Sequence, residues 1–136
     1  MPAGYSKKSL VDKLGIKDGW RAYFSNAPDN YSKTIGALPP GARQLHKLEG
    51  GLEFIQHFTH SKSELQKTFP KLKKSLSEQG MLWISWPKGA SRIPTDLNEN
   101  VVREIGLKNG LVDVKVCAVD EVWSGLKFVY RLEDRG

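Results

Sequence analysis

Two short segments of this 136-residue chain collect side chains able to do chemistry. The first is Trp86-Pro87-Lys88-Gly89-Ala90-Ser91-Arg92-Ile93-Pro94-Thr95-Asp96, which sets two cations and two hydroxyls just ahead of a helical apolar pattern. The free N–H groups and dipole at a helix start hold anions, so Trp86, Lys88, Ser91, Arg92 and Thr95 read as a binding loop. Asp96 and Glu99 weigh against phosphate, because carboxylates on that first turn repel an anion. Pairing of Lys88 or Arg92 with Asp96 or Asp120 would instead order the loop.

The second segment is Asp120-Glu121-Val122-Trp123, with Lys127 following. Paired carboxylates beside an indole suit a hydroxylated or cationic ligand, and one of them has the chemistry of a general base. The same residue types also make hairpin turns. Asn26, in the turn Asn26-Ala27-Pro28-Asp29, joins these candidates, and of the three histidines only His60 is expected near them. Cys117 alternates with valines and reads as a packed, inert thiol. Zinc spacing, a Walker loop and a nucleophile elbow are all missing, so no catalytic or metal-binding residue is assigned.

These residues need elements to position them, and the apolar periods supply them. Helices are expected at Ser9 to Leu14, about Asn30 to Ile35, from Ser61 through a break or kink at Pro70 to Gly80, and from Asp96 to about Lys108. In the last, Asp96 and Glu99 form the capping pair. Strands are expected at Trp20 to Ser25, Arg43 to Leu48, Leu52 to Thr59 and Met81 to Trp86. The Val112, Val114, Val116 row and the Leu126, Phe128, Tyr130, Leu132 row form a terminal hairpin about Ser124-Gly125, the valines facing the core. The result is an α/β chain: a Rossmann-like three-layer α/β/α sandwich with a mostly parallel sheet of about six strands ending in an antiparallel hairpin. Its ligand edge is where the parallel strands end, bringing together Asn26, Asp29, Glu49, His60, the Trp86 to Asp96 loop and the Asp120 to Trp123 turn. The Rossmann glycine fingerprint is absent, since Ala27 and Pro28 stand where glycines would let a backbone approach a pyrophosphate.

The length suits one domain spanning residues 1–136. No apolar run is long enough to span a bilayer, no signal-peptide core opens the chain, and a single cysteine excludes an internal disulfide framework. A cytoplasmic protein without membrane association is the expectation. The net charge of +6 is unevenly placed: residues 1–80 hold 13 Lys/Arg against 7 Asp/Glu, and residues 81–136 hold 8 against 8. A basic protein is drawn to polyanions, but Trp20, Trp83 and Trp86 sit on strands rather than on a stacking surface, so nucleic acid ranks last among the partners.

Trp86-Pro87-Lys88, Ser91, Pro94-Thr95-Asp96-Leu97, Val101-Val102-Arg103-Glu104, Gly110 to Glu121, Trp123-Ser124-Gly125-Leu126-Lys127, the opening Gly4-Tyr5-Ser6 and Leu14-Gly15-Ile16-Lys17 resemble a bacterial family of short proteins known only as a domain of unknown function. In layout the chain also resembles shortened S-adenosylmethionine-dependent methyltransferases, whose last helix is followed by a hairpin with its final strand inserted antiparallel. That resemblance implies a glycine-rich turn after the first strand, replaced here by Asn26 to Asp29, and an acid after the second, matched only by Glu49. The function expected first is a non-catalytic Rossmann-like module that binds a small molecule or a protein partner, with the cofactor unassigned. A small methyltransferase-type enzyme with a divergent cofactor site is the alternative, and a basic nucleic-acid-binding protein the second.

Overall fold

The computed structural model describes residues 9–135. The opening Gly4-Tyr5-Ser6 of the chain lies outside the described residues. Helix α1 (Leu10–Leu14) starts where the Ser9 hydroxyl accepts the Asp12 N–H, and it stops at Gly15, whose φ of 85° glycine takes without strain. Strand β1 (Arg21–Ser25), helix α2 (Tyr31–Ile35), the three-residue strand β2 (Arg43–Leu45) and strand β3 (Leu52–Phe58) follow. Helix α3 (Lys62–Ser75) leads into strand β4 (Leu76–Pro87), and helix α4 (Glu99–Lys108) into the hairpin β5 (Leu111–Ala118) and β6 (Trp123–Tyr130).

The sheet order is β2-β1-β3-β4-β6-β5, with β6 running antiparallel between β4 and β5 and the remaining pairs parallel. The Rossmann-like α/β expectation therefore holds, the inserted strand included. Several boundaries differ, each for a local reason. α3 runs unbroken past Pro70 but ends at Ser75, because Leu76 turns extended and pairs with Leu52. Gly80 is consequently inside β4, where a Cβ would lie 2.8 Å from the Glu53 carbonyl at a ladder irregularity, so only glycine lets the strands close. Asn98 rather than Asp96 caps α4, accepting the Val101 N–H at 2.9 Å. β6 begins at Trp123, so Ser124 and Gly125 belong to the ladder rather than to the turn.

Two cores result. On one face α3 and α4 bury Ile55, Leu65, Phe69, Leu82, Ile105 and Phe128, among others. On the other, α1 and α2 cover Ala22, Phe54, Phe58 and Trp83, and the Trp83 indole donates to the Leu14 carbonyl at 2.9 Å. The expected burial of the valine row fails, and Val112 is only partly buried. Val114 and Val116 are about half exposed on edge strand β5, where the register slips between Asp113 and Lys115.

Candidate functional site

In open α/β sheets the ligand crevice lies where strand order reverses, at the carboxyl ends of the strands. Here the reversal falls between β1 and β3, on either side of which the chain leaves toward β2 and β4. Asn26, immediately after β1, has a φ of 59°, a left-handed turn that asparagine tolerates better than most residues. Its side-chain amide donates to the Phe58 carbonyl at 2.8 Å and so bridges the ends of the two strands.

One residue back, a hydrogen-bonded chain runs across the same crevice. Ser25 Oγ is 2.7 Å from His57 Nδ1, and His57 Nε2 is 2.9 Å from Glu64 Oε1. A neutral His57 then donates from Nε2 to Glu64 and accepts the Ser25 hydroxyl at Nδ1. Burial alone would raise the Glu64 carboxyl, but hydrogen bonds from Thr68, His57 and Thr59 outweigh it and hold the group below the ordinary carboxylate range. On the opposite face the Tyr31 hydroxyl donates to Gln56 Oε1 at 2.5 Å, and Gln56 Nε2 donates to Ser85 Oγ at 3.0 Å. Burial keeps the Tyr31 phenol protonated far above its usual range. His57 and this polar row were not among the sequence candidates. Apart from Glu64, seven residues beyond His57, their partners lie 25 to 32 residues apart in sequence, on different strands and helices, so no local spacing marks the row.

Two cavities open along this edge. One, of about 230 Å³, lies beside the turn after β1, walled by Phe24, Tyr31, Ile35 and Leu38 with Asp29 and Gln44 as polar lining. The other is an open cleft of about 430 Å³ between His60, Ser61, Pro94, Thr95 and Asp96. Neither is lined by Lys88 or Asp120. A chain with these strands, this inserted antiparallel strand and this edge has solved counterparts. An S-adenosylmethionine-dependent methyltransferase from Aquifex aeolicus superposes with a TM-score of 0.64 at 15% identity, over 88% of this chain and 86% of that one.

The fold is that of the S-adenosylmethionine-dependent methyltransferases. Precorrin-6y C5,15-methyltransferase from Geobacter metallireducens matches with a TM-score of 0.64 at 8% identity, covering 90% of this chain and 86% of that one. Magnesium protoporphyrin IX methyltransferase from Synechocystis, solved with bound S-adenosylmethionine, matches with 0.58 at 11% identity, covering 90% and 74%. No protein-family model and no curated protein matches the chain. The expectation of a non-catalytic module is corrected by these neighbours, which are methyltransferases and favour the enzyme alternative.

Within this methyltransferase fold the sequence candidates separate. The Trp86 to Asp96 loop and the Asp120 turn do meet at the edge, where the Lys88 N–H donates to the Val122 carbonyl at 2.8 Å. Most of their side chains, however, are engaged in holding the backbone. Asp120 Oδ1 accepts the N–H groups of Val122 and Trp123, both at 2.8 Å, which closes the hairpin turn. Ser91 Oγ donates to the Lys88 carbonyl at 2.7 Å, and Arg92 is the exposed left-handed residue ending that turn. Thr95 donates to the His60 carbonyl at 2.7 Å, while Asp96 accepts the Lys62 N–H at 2.7 Å and so caps α3. The expected pairing of Lys88 or Arg92 with Asp96 or Asp120 does not form among the described residues.

Trp86 is buried in the α3/α4 core, and Trp123 stacks edge-on against Phe58 with ring centres 5.2 Å apart. Glu121 is exposed on the turn. Lys127 is not at the edge at all, lying mid-strand opposite Trp83 and Lys115. The expected acid after the second strand also moves. The loop from β2 returns to the amino-terminal edge, where Gly51 accepts from the Arg21 guanidinium at 2.6 Å and Glu49 acts electrostatically on the same group. Glu49 therefore cannot serve a ligand at the carboxyl edge.

Proposed function

We propose that the chain is a small methyltransferase-type enzyme with a divergent cofactor site at the carboxyl edge of the β1/β3 crevice. The observation that carries this reading is the sheet order, with antiparallel β6 inserted beside β4, together with a cavity beside the turn after β1. When bound there, S-adenosylmethionine supplies an electrophilic methyl group on a sulfonium. The residues fit it in part. Asn26 takes the left-handed conformation that a glycine would otherwise provide, and Asp29 gives the cavity a carboxylate suited to ribose hydroxyls or an ammonium group. Phe24, Tyr31 and Leu38 wall it for a base. Its volume of about 230 Å³ falls below the roughly 300–1,000 Å³ of ordinary ligand pockets. It suits one moiety, with the rest of the ligand lying along the open edge toward His60 and Thr95.

Lys88, Ser91, Arg92, Thr95, Asp96, Asp120, Glu121 and Trp123 then belong to the rim on which an acceptor substrate would rest, and a small molecule fits that rim. The reading further takes residues 1–136 as a single domain working in a cytoplasm, in keeping with the single cysteine. The likeness to short bacterial proteins adds no activity to it. Among the described residues no helix is long and apolar enough to cross a membrane, and none form a metal-ligating group of three.

Titrating S-adenosylmethionine and S-adenosylhomocysteine while following the melting temperature tests the proposal. Saturation at 100 times the dissociation constant should stabilise the fold by about 2.7 kcal/mol. Asp29→Asn should weaken binding at least tenfold without lowering the stability of the free protein. A melting temperature that stays fixed at millimolar concentrations of both compounds would remove the methyltransferase reading.

A further inference from the structure

Four lysines gather on the α1/α2 face of the sheet, beside α1. Lys115 and Lys127 stand directly opposite one another in the β5–β6 ladder. Lys13 comes in from α1, and Lys17 from the turn behind it. Lys115 Nζ reaches the Lys13 carbonyl at 3.3 Å, Lys127 Nζ lies 6.0 Å from the centre of the Trp83 ring, and Lys17 Nζ lies 5.6 Å from that of Trp20. Half-buried Cys117, two residues along β5 from Lys115, is in electrostatic range of Lys13, Lys115 and Lys127.

This arrangement works against folding. Like charges directly opposite across a ladder destabilise it, and here the pair is tightened by two further ammonium groups. Burial, followed by the fields of Lys115 and Lys17, holds the Lys127 ammonium below its ordinary range. Among the described residues none of the four lysines forms an ion pair. Asp12 and Asp18, the carboxylates nearest Lys13 and Lys17 in sequence, are exposed and pair with none of them. A chain that is locally consistent elsewhere keeps such a conflict where function requires it.

We infer that Lys115 and Lys127, flanked by Lys13 and Lys17, form a binding site for the phosphate groups of a phosphorylated ligand. Lysine commonly binds phosphate, which it meets as a point charge from a flexible stem. A phosphate between Lys115 and Lys127 would convert their repulsion into shared attraction. The site lies mid-strand on β5 and β6, at the other side of the sheet from the β1/β3 crevice, so it stands or falls independently of the methyl-transfer reading.

The test is a titration of the whole chain at fixed ionic strength, followed by tryptophan fluorescence, since Trp83 adjoins Lys127. Pyrophosphate is one ligand and a ten-nucleotide single-stranded RNA the other. Lys115→Gln and Lys127→Met should each weaken phosphate binding at least tenfold, while Lys67→Gln with Lys71→Gln, on the outer face of α3, should change it less than twofold. In the absence of phosphate, Lys127→Met should melt about 2–4 °C higher, because a repulsion has been removed. Binding of pyrophosphate alone identifies a small phosphate ester as the ligand. Binding of both, with an affinity for RNA that falls about as the third power of salt, identifies a strand backbone. Absence of binding by either ligand at millimolar concentration, or equal losses in the α3 control, overturns the site.

Discussion

One face of the sheet lies under a 14-residue and a 10-residue helix, the other under two helices of five residues each. Under the long helices the charges are paired. Arg103 binds Asp113 at 2.9 Å and also Glu99, and Glu64 is held by His57 and Thr68. Under the short helices the fold keeps the cavity beside Asp29, the buried Tyr31–Gln56–Ser85 row and four lysines without a carboxylate. A helix that spans a strand buries or pairs what lies beneath it, whereas a helix of a turn and a half leaves part of the sheet face for a ligand. The thin cover thus marks where to look for binding.

The sharpest way to break this comparison is Trp83→Ala. Trp83 is fully buried and anchors α1 through the Leu14 carbonyl, so urea denaturation should show a loss of about 3–5 kcal/mol. A loss below about 1 kcal/mol would mean that even the centre of the thin face is not core. Gly106→Ala probes the thick face. A Cβ there would lie 2.0 Å from the Phe128 ring, so overpacking should cost about 1–3 kcal/mol despite the better helix propensity of alanine. An unchanged or raised midpoint would show that α4 packs loosely.

The carboxylates of the thick face should give it a pH signature. The Glu64 carboxyl is lower in the folded chain than its ordinary value of 4.5. Its stabilising contribution is therefore complete above that value and is lost as pH falls through the depressed folded value. Glu64→Gln should melt below the parent at pH 7, and the gap should shrink as the pH is taken below 4.5. A gap that persists in acid would show that packing, not charge, holds the His57 chain. The smallest effect is expected at the rim. Lys88 is tied through its backbone N–H, so Lys88→Ala should stay within about 0.5 kcal/mol of the parent in thermal unfolding.

The order of helices and strands was legible in the sequence, because the longer elements show their own period and the short ones are set off by flanking turn residues. Ser9 before α1 and Ser61 before α3 carry local signals, whereas Ser124-Gly125 reads as the hairpin turn and instead lies inside β6. The candidate site was legible only as two loops. That they meet at Lys88 and Val122 followed from the topology, but what their side chains do there did not. Asp96 looked like the cap of the helix that follows it and instead caps α3, whose start lies 34 residues earlier. Asp120 and Ser91 looked like ligand groups and proved to close turns. A short polar side chain satisfies whichever N–H lies nearest, and spacing along the chain does not say which that will be.

The sequence by itself determined the class of fold, the alternation that makes the sheet mainly parallel, and the closing hairpin. These depend on apolar periods of two and 3.6 residues, which are local quantities. The tertiary structure decided which charges are paired and which are left alone. Lys127 meets Lys115 because two strands register, Ser25 meets His57 for the same reason, and Glu49 is carried to the far edge by a returning loop. Electrostatic partnership depends on distance in space, and only the packed sheet sets those distances.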